Sequence, residues 1–403
     1  MNLLFITPGF VYPLMGGQSI RTYHMLKELH AMGVRITAIT IREPGSDGTF
    51  LDAMRGFCHE VIPVSFDPDR TRSFVERALL KISSTPSTML RYNHPAIAAA
   101  VSSALRRDKY DAVFCDQLHM ASYCYDIPLP KILNTDDPLY LQLEREARIT
   151  SALLEKIKFR WEASKYKRYE RKMFNAFDAV LFVSAADREQ VQLDLGVQNI
   201  EIVPQGVDTA IYDPQGPGWA DAPAEPYVLI SGMMNYAPNA LSAIYFVEQV
   251  LPLVRKQRPE TVCVIVGAYP TDEVKALGRN HAGVIVTGFV DDVLPYMRSA
   301  AVYVAPAISG TGIKNKVLQA MAMEKGIVAT QLSMDGIPQA KHGEQVLIAN
   351  SPEGLASETL RLLVDRTLCR RLGKAAFACI REHYSWQCIV SNLYEILTDK
   401  INC

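Results

Sequence analysis

The sequence predicts an α/β protein built from two doubly wound, parallel-sheet domains. Three observations lead there. Short apolar runs recur along the whole chain, the pattern of strands buried on both faces. Stretches with helical spacing of apolar residues alternate with them, and such alternation builds parallel sheets. The alternation is interrupted once, by a stretch rich in Pro, Gly and Ala at Gln205–Pro226, which reads as a linker. A chain of 403 residues is also too long for one ordinary core.

Composition narrows the function. Hydrophobic residues at 49% and charged residues at 21% describe a soluble globular protein. A formal net charge of -1 gives no global electrostatic reason to bind nucleic acid. The eight cysteines are scattered with no C-x-x-C pair, as expected of reduced core thiols in a cytosolic protein and not of a metal or disulfide framework. The opening MNLLFITPGF lacks a basic region and enters a strand directly, so no signal peptide is expected, and no apolar run reaches membrane-spanning length.

In order, Asn2–Thr7 reads as the first strand, a helix follows from about Ser19 to Met32, and Val34–Thr40 is the second strand. Gly16-Gly17 marks the helix entry, where only glycine lets a backbone approach a phosphate or sugar ring closely. GxGxxG is absent and the second strand ends without an acid, which argues against a nicotinamide enzyme. His24 and His30 read as packing or surface residues. Glu60–Ser65 is a weaker strand. Two basic–aromatic helices follow, at Arg70–Ile82 and Lys156–Phe174. Each is either an ordinary amphipathic helix with a solvated charged face or one that lies on an anionic membrane surface. Strands Asp111–Cys115 and Lys131–Thr135 end at His119 and at Asp136-Asp137, where functional side chains collect. For the aspartate pair, helix capping or hydrogen-bond acceptance is favoured over metal binding. Asp178–Ser184 and Ile200–Val203 complete the first sheet.

Beyond the linker come strand Tyr227–Ser231, helix Ala240–Val254, strand Thr261–Val266, a helix near Asp272–Arg279, strand Val284–Thr287 and helix Val293–Arg298. The most informative stretch is Ala301–Pro338. A buried strand at Ala301–Ala305 leads to a loop with Gly310, Thr311 and Gly312, then to Lys314, Asn315 and Lys316 in the first turn of a helix. Val317, Leu318, Met321 and Ala322 share one face of that helix, and Gly326 is expected to stop it before strand Ile327–Ala329. Two lysines at a helix N-terminus oppose its dipole and call for an anion, so a phosphate is the expected ligand. After Gln345–Ile348 the chain is expected to be helical to its end.

These motifs resemble the GT-B glycosyltransferases, retaining family 4. Gly16-Gly17 to Leu29 with Gly33-Val34 is similar to the family's N-terminal glycine motif, and Ile202–Asp208 (IVPQGVD) to its hinge. Val286–Asp292 (VTGFVDD), Lys316–Ala322 (KVLQAMA) and Tyr384-Ser385-Trp386 resemble C-terminal motifs. MMNYAPNA and GTGIKNKVLQAMAM look closest to sugar transferases of exosortase-associated (PEP-CTERM) loci. The resemblance implies two Rossmann-like domains facing across a cleft, 1–207 and 208–384, with 385–403 returning to the first. It implies transfer of a sugar from a nucleotide diphosphate sugar with retention and no obligatory metal or other cofactor. The acceptor would be a glycan or glycolipid, and the setting cytoplasmic or peripheral on the inner membrane face. His119 would lie near the donor sugar, Gly16 and Gly17 near the diphosphate or sugar, and Val290 and Asp291 beside the nucleobase.

Three departures qualify this picture. Met233 and uncharged neighbours stand where the family often has a basic pair, and Lys314 and Lys316 are the residues able to replace that charge. Thr311 and Gln319 stand where the family has acids, Gln319 at the ribose-binding position. Gln205 replaces the hinge asparagine. The alternatives are a GT-B protein that binds a sugar nucleotide without catalysis and, on the same fold, a nucleotide-sugar epimerase.

Overall fold

A computed structural model of the chain describes residues 1–9, 17–42, 48–68, 83–150, 152–310 and 312–402. Gly16, Thr311 and the helix read at Arg70–Ile82 lie outside the described residues. The chain divides into two compact units, Met1–Pro204 with Val390–Cys403, and Gln205–Ile389.

The first unit holds a seven-stranded parallel sheet of β1 (Asn2–Thr7), β2 (Arg35–Arg42), β3 (Glu60–Ser65), β4 (Ala112–Asp116), β5 (Lys131–Asp136), β6 (Ala179–Phe182) and β7 (Ile200–Ile202), in the order β3-β2-β1-β4-β5-β6-β7. The second holds a six-stranded parallel sheet of β8 (Tyr227–Ser231), β9 (Val262–Val266), β10 (Val284–Gly288), β11 (Val302–Ala305), β12 (Ile327–Ala329) and β13 (Leu347–Ile348), ordered β10-β9-β8-β11-β12-β13. Both orders reverse direction once, between β1 and β4 and between β8 and β11. Open α/β sheets bind ligands outside the carboxyl ends of strands at such a switch point.

Continuous apolar runs make these strands because both faces are covered. In β8, Val228 and Ile230 enter one core cluster, while Tyr227 and Leu229 enter another on the opposite face. Alternate residues of β9 and β11 divide in the same way.

Three expectations are corrected. The helix read at Ala240–Val254 is interrupted: α-helix Ala237–Tyr245 passes through a π turn at Phe246–Val250 and resumes at Leu251–Arg255. Pro252 has no N–H and its ring crowds the preceding turn, and the wider π turn relieves both. Gly326 does not stop the helix before β12. That helix ends at Ala322, and Glu324 adopts the left-handed conformation just beyond it. Gly326 is instead a close-packing residue, since a Cβ there would lie 2.4 Å from the Cys369 sulfur. Finally, Gln205–Pro226 is no free linker. It packs on the second unit through Tyr212, Trp219 and Ala222, with the Trp219 N–H donating to Ser299 Oγ at 2.8 Å.

The last helix, Trp386–Asn402, crosses the boundary between the units. Trp386 lies against Gly206 in the second unit, where a Cβ would meet the indole at 2.6 Å. Asn392 Nδ2 donates to the Ile202 carbonyl at 3.4 Å in the first unit.

Candidate functional site

At the switch point of the second sheet, the loops after β8 and β11 enclose a cavity of about 460 Å³. From the first loop come Gly232, Met233 and Tyr236, followed by Pro238, Asn239 and Ser242 of the next helix. From the second come Ala307, Ser309, Gly310 and Ile313, followed by Lys314, Asn315, Lys316 and Gln319. The glycines are required by geometry. Gly310 has φ 99°, and a Cβ on it would press on the Pro238 ring at 3.2 Å. Gly232 has φ 147°, and a Cβ there would sit 2.7 Å from Asn239 Nδ2. Gly312 also has a left-handed φ, 68°.

The sequence reading brought Lys314, Asn315, Lys316, Gly310 and Gln319 together, and the fold does the same. Lys314 is the N-cap residue of helix Asn315–Ala322, and its Nζ donates to the Gly312 carbonyl at 3.0 Å. Lys316 Nζ reaches across the cavity to donate to Asn239 Oδ1 at 2.6 Å. Burial first, and the neighbouring Lys314 second, push its pKa down to about 8. Thus a lysine that follows the second loop is tied to the first through Asn239, whose Nδ2 holds the Met233 carbonyl. No carboxylate among the described residues lines the cavity. Two lining residues, Ser309 through Oγ and Asn315 through Oδ1, hold buried polar atoms with no hydrogen-bond partner among the described residues. Unpaired buried polar groups are costly and rare, so both point to a polar ligand.

Sequence reasoning missed Asn239 as a site residue and Tyr212 as a partner. Asn239 buttresses the first loop by donating from Nδ2 to the Met233 carbonyl at 2.9 Å. Tyr212, from the segment read as linker, shares a hydrogen bond with the Gln319 side chain. The available signal for Asn239 was its place in the first helical turn after the β8 glycine. Val290 and Asp291 do not line this cavity. Val290 packs half-buried against the core, and Asp291 is exposed after β10.

The switch point of the first sheet carries a different chemistry. Gly17 begins helix Gly17–Ala31. Arg21, one turn on and fully buried, lies with Nε 2.9 Å from Asp136 Oδ1 and donates to the carbonyls of Val203 and Pro204 at 2.7 and 2.8 Å. Asp116 at the end of β4 accepts from Thr7, Thr22 and Asn134 at 3.0, 3.0 and 2.9 Å. Burial nonetheless raises its pKa to about 6. Gln117 (φ 76°) and Asp136 (φ 57°) are non-glycine residues in the left-handed region, a strain that clusters at functional sites.

His119 lies in the 3-10 turn Leu118–Tyr123 that follows β4. Its ring packs on Tyr92, centroids 4.1 Å apart. Desolvation, and then Arg91, lower its pKa to about 4, so the imidazole is neutral at physiological pH. Its buried Nε2 has no partner among the described residues. Of the two roles expected of Asp136-Asp137, acceptance is theirs and capping is not: Asp136 Oδ2 accepts from Gln117 Nε2 at 3.4 Å and Asp137 Oδ2 from Gln142 Nε2 at 3.5 Å. Helix Leu139–Ile149 has its first N–H groups, Leu139 and Tyr140, capped by Glu170 at 2.6 and 3.1 Å. Asp136 also pairs with Arg21, while Asp137 Oδ1 is buried with no hydrogen-bond partner among the described residues.

Comparison with known proteins agrees with the fold. Residues 15–211 match the family described as Glycosyltransferase Family 4, and residues 225–365 match Glycosyl transferases group 1. An uncharacterized 44.6 kDa protein in the cps region of Klebsiella pneumoniae is 21% identical over 71% of this chain and 74% of its own length. The phosphatidyl-myo-inositol mannosyltransferase of Mycolicibacterium smegmatis is 28% identical over 50% of this chain and 52% of its own. The structure of Anabaena HepE in complex with UDP superposes with a TM-score of 0.66 at 14% identity, covering 99% of this chain and 100% of that one. With a Family 4 match through its first half, a group 1 match through its second and two Rossmann-like sheets, this chain is a glycosyltransferase of the GT-B fold.

Proposed function

We propose that the protein transfers a sugar from a nucleotide diphosphate sugar to a glycan or glycolipid acceptor, with retention of configuration at the anomeric carbon. The observation that carries the donor half is the cavity at the β8/β11 switch point. Among the described residues it combines two lysines, a helix N-terminus and unpaired polar atoms at Ser309 and Asn315 with no carboxylate. A departing diphosphate develops negative charge, and fixed cations and dipoles aimed at that charge are the largest single contribution to such catalysis. Lys314 and Lys316 meet the diphosphate in this reading, Gln319 the ribose, and Val290-Asp291 the nucleobase. With that charge supplied by side chains and backbone, the reaction is proposed to need no metal. His119, neutral and with a buried unpaired Nε2, is a hydrogen-bonding group for the transferred sugar and not a permanent cation.

The relatives support the same direction. One similar fold was crystallised with UDP, and one relative is named for mannosyl transfer to phosphatidyl-myo-inositol. The location of another in a cps region favours a surface polysaccharide as the product class, and the exosortase-locus resemblance of Met233–Ala240 points the same way. A second reading, donor binding without catalysis, is favoured by one observation: an amide, Gln319, occupies the position of a carboxylate.

Screening nucleotide sugars by mass spectrometry for binding and turnover tests both readings. Turnover or slow hydrolysis of one donor, with the α or β configuration of its product read by NMR, supports transfer with retention. Binding with no turnover of any donor, in the presence of lipid and glycan acceptors, selects the second reading. No binding of any nucleotide sugar overturns both.

A further inference from the structure

The helix Leu153–Phe174 carries eight basic and three acidic residues in a chain whose net charge is -1. Its carboxyl half is packed: Ala163, Tyr166, Met173 and Phe174 are buried. Its amino half is not. Leu153, Leu154, Ile157 and Trp161 are 70%, 83%, 56% and 54% exposed, and their spacing sets them on one stripe of the helix. Lys158 and Arg160 are exposed within the same two turns, with half-buried Lys156 beside them. Large apolar side chains in one exposed cluster mark an interaction surface. Basic residues around it select an anionic partner, and a tryptophan at the margin suits the boundary between headgroups and acyl chains. No helix among the described residues is long and apolar enough to cross a membrane, so contact through this element would be at the surface.

We infer that the amino half of this helix is a docking element for an anionic lipid bilayer. Leu153, Leu154, Ile157 and Trp161 enter the interface, and Lys156, Lys158 and Arg160 meet the phosphates around them. The element shares no residue with the donor cavity, so this inference stands or falls independently of the donor reading. It also supplies what a glycolipid acceptor requires, an enzyme held where that acceptor resides.

The test uses the full chain with vesicles of phosphatidylcholine alone or mixed with about a third phosphatidylglycerol, at low and high salt. Binding to the anionic vesicles alone is expected, weakening with salt. Trp161 is far more exposed than the buried Trp386, so a blue shift of tryptophan emission should accompany binding. Leu153→Ser/Leu154→Ser/Ile157→Ser should lower vesicle partitioning by roughly a hundredfold while leaving nucleotide binding unchanged. Lys158→Glu/Arg160→Glu should remove the preference for anionic lipid. Equal binding to both vesicle types, or wild-type binding by the triple serine variant, overturns the proposal. So does a concentration-dependent dimer by sedimentation that Leu154→Ser abolishes, because the stripe would then be covered by a second copy.

Discussion

The two switch points of this molecule share a topology and differ in how far their charges are already answered. At the first, Arg21 sits between Asp136 and two backbone carbonyls, and Asp116 is held by three hydrogen-bond donors. Its charges hold the fold together. At the second, Lys314 and Lys316 line a cavity with no carboxylate among its described lining residues, Lys316 donating to an amide oxygen and Lys314 to a carbonyl. In the proposed reading these lysines meet the diphosphate. The same strand order thus carries an arginine–carboxylate network in one unit and a lysine-lined cavity in the other, and side chains at the strand ends make the difference.

The largest effect that separates the two should come from Arg21→Met. It leaves the Asp136 carboxylate facing an apolar side chain, and breaking such a pair costs about 3–5 kcal/mol. Because Asp136 keeps some solvent contact, 23% of its side chain being exposed, the lower end of that range is expected. Denaturant unfolding measures the loss. Nucleoside diphosphate affinity of the folded variant should be unchanged, and a large change there would place donor recognition at the first switch point as well.

Next in size is His119→Ala, which should lower turnover by roughly tenfold or more with a smaller effect on free nucleotide binding. Because burial holds the imidazole pKa down to about 4, the pH–rate profile should show no His119 step between pH 6 and 7. A step there that vanishes in the alanine variant would show a protonated histidine in the reaction.

A more graded effect concerns Lys316, whose ammonium is disfavoured by burial and by Lys314, bringing its pKa to about 8. The charged form exists below that pH and binds the anion. Donor affinity should therefore fall as pH rises through about 8, and binding near that pH should take up a proton. Calorimetry in buffers of different ionisation enthalpy counts it. Lys316→Arg keeps the charge and should flatten the profile. If the parent profile is already flat across pH 7–9, the lysine does not carry the anion contact.

The smallest effect is expected at Gln319. A carboxylate accepts stronger hydrogen bonds from ribose hydroxyls than an amide does. Gln319→Glu should tighten nucleotide sugar binding a few-fold, and Gln319→Ala should weaken it by a similar factor. Weaker binding by the glutamate variant would mean that the Tyr212–Gln319 bond tunes the site for an amide.

How much of this was legible in the sequence follows from the range of each interaction. Strands buried on both faces announce themselves as apolar runs, so Asn2–Thr7, Tyr227–Ser231 and Ile327–Ala329 read with the bounds the fold gives them. Lys314 and Lys316 were legible as site residues because a glycine loop, a helix start and two cations are local features. Asn239 and Tyr212 were not, since the first meets Lys316 and the second Gln319 only once distant segments fold against each other. The π turn was hidden because hydrophobic spacing continues through it, although Pro252 marked the place. Asp136-Asp137 read as a cap or an acceptor, and only the cap failed, because its rival, Glu170, lies 31 residues from the N–H it caps at Leu139.

Calorimetric titration of nucleoside diphosphates into the parent and the Lys314→Ala/Lys316→Ala variant tests the central claim most directly. The parent should bind one of them. The variant should keep its folded spectrum and lose about 1.5–3 kcal/mol of binding, or roughly ten- to hundredfold in affinity. Equal affinity in the two proteins would contradict the account, because the diphosphate would then lie somewhere other than the cavity that these lysines line.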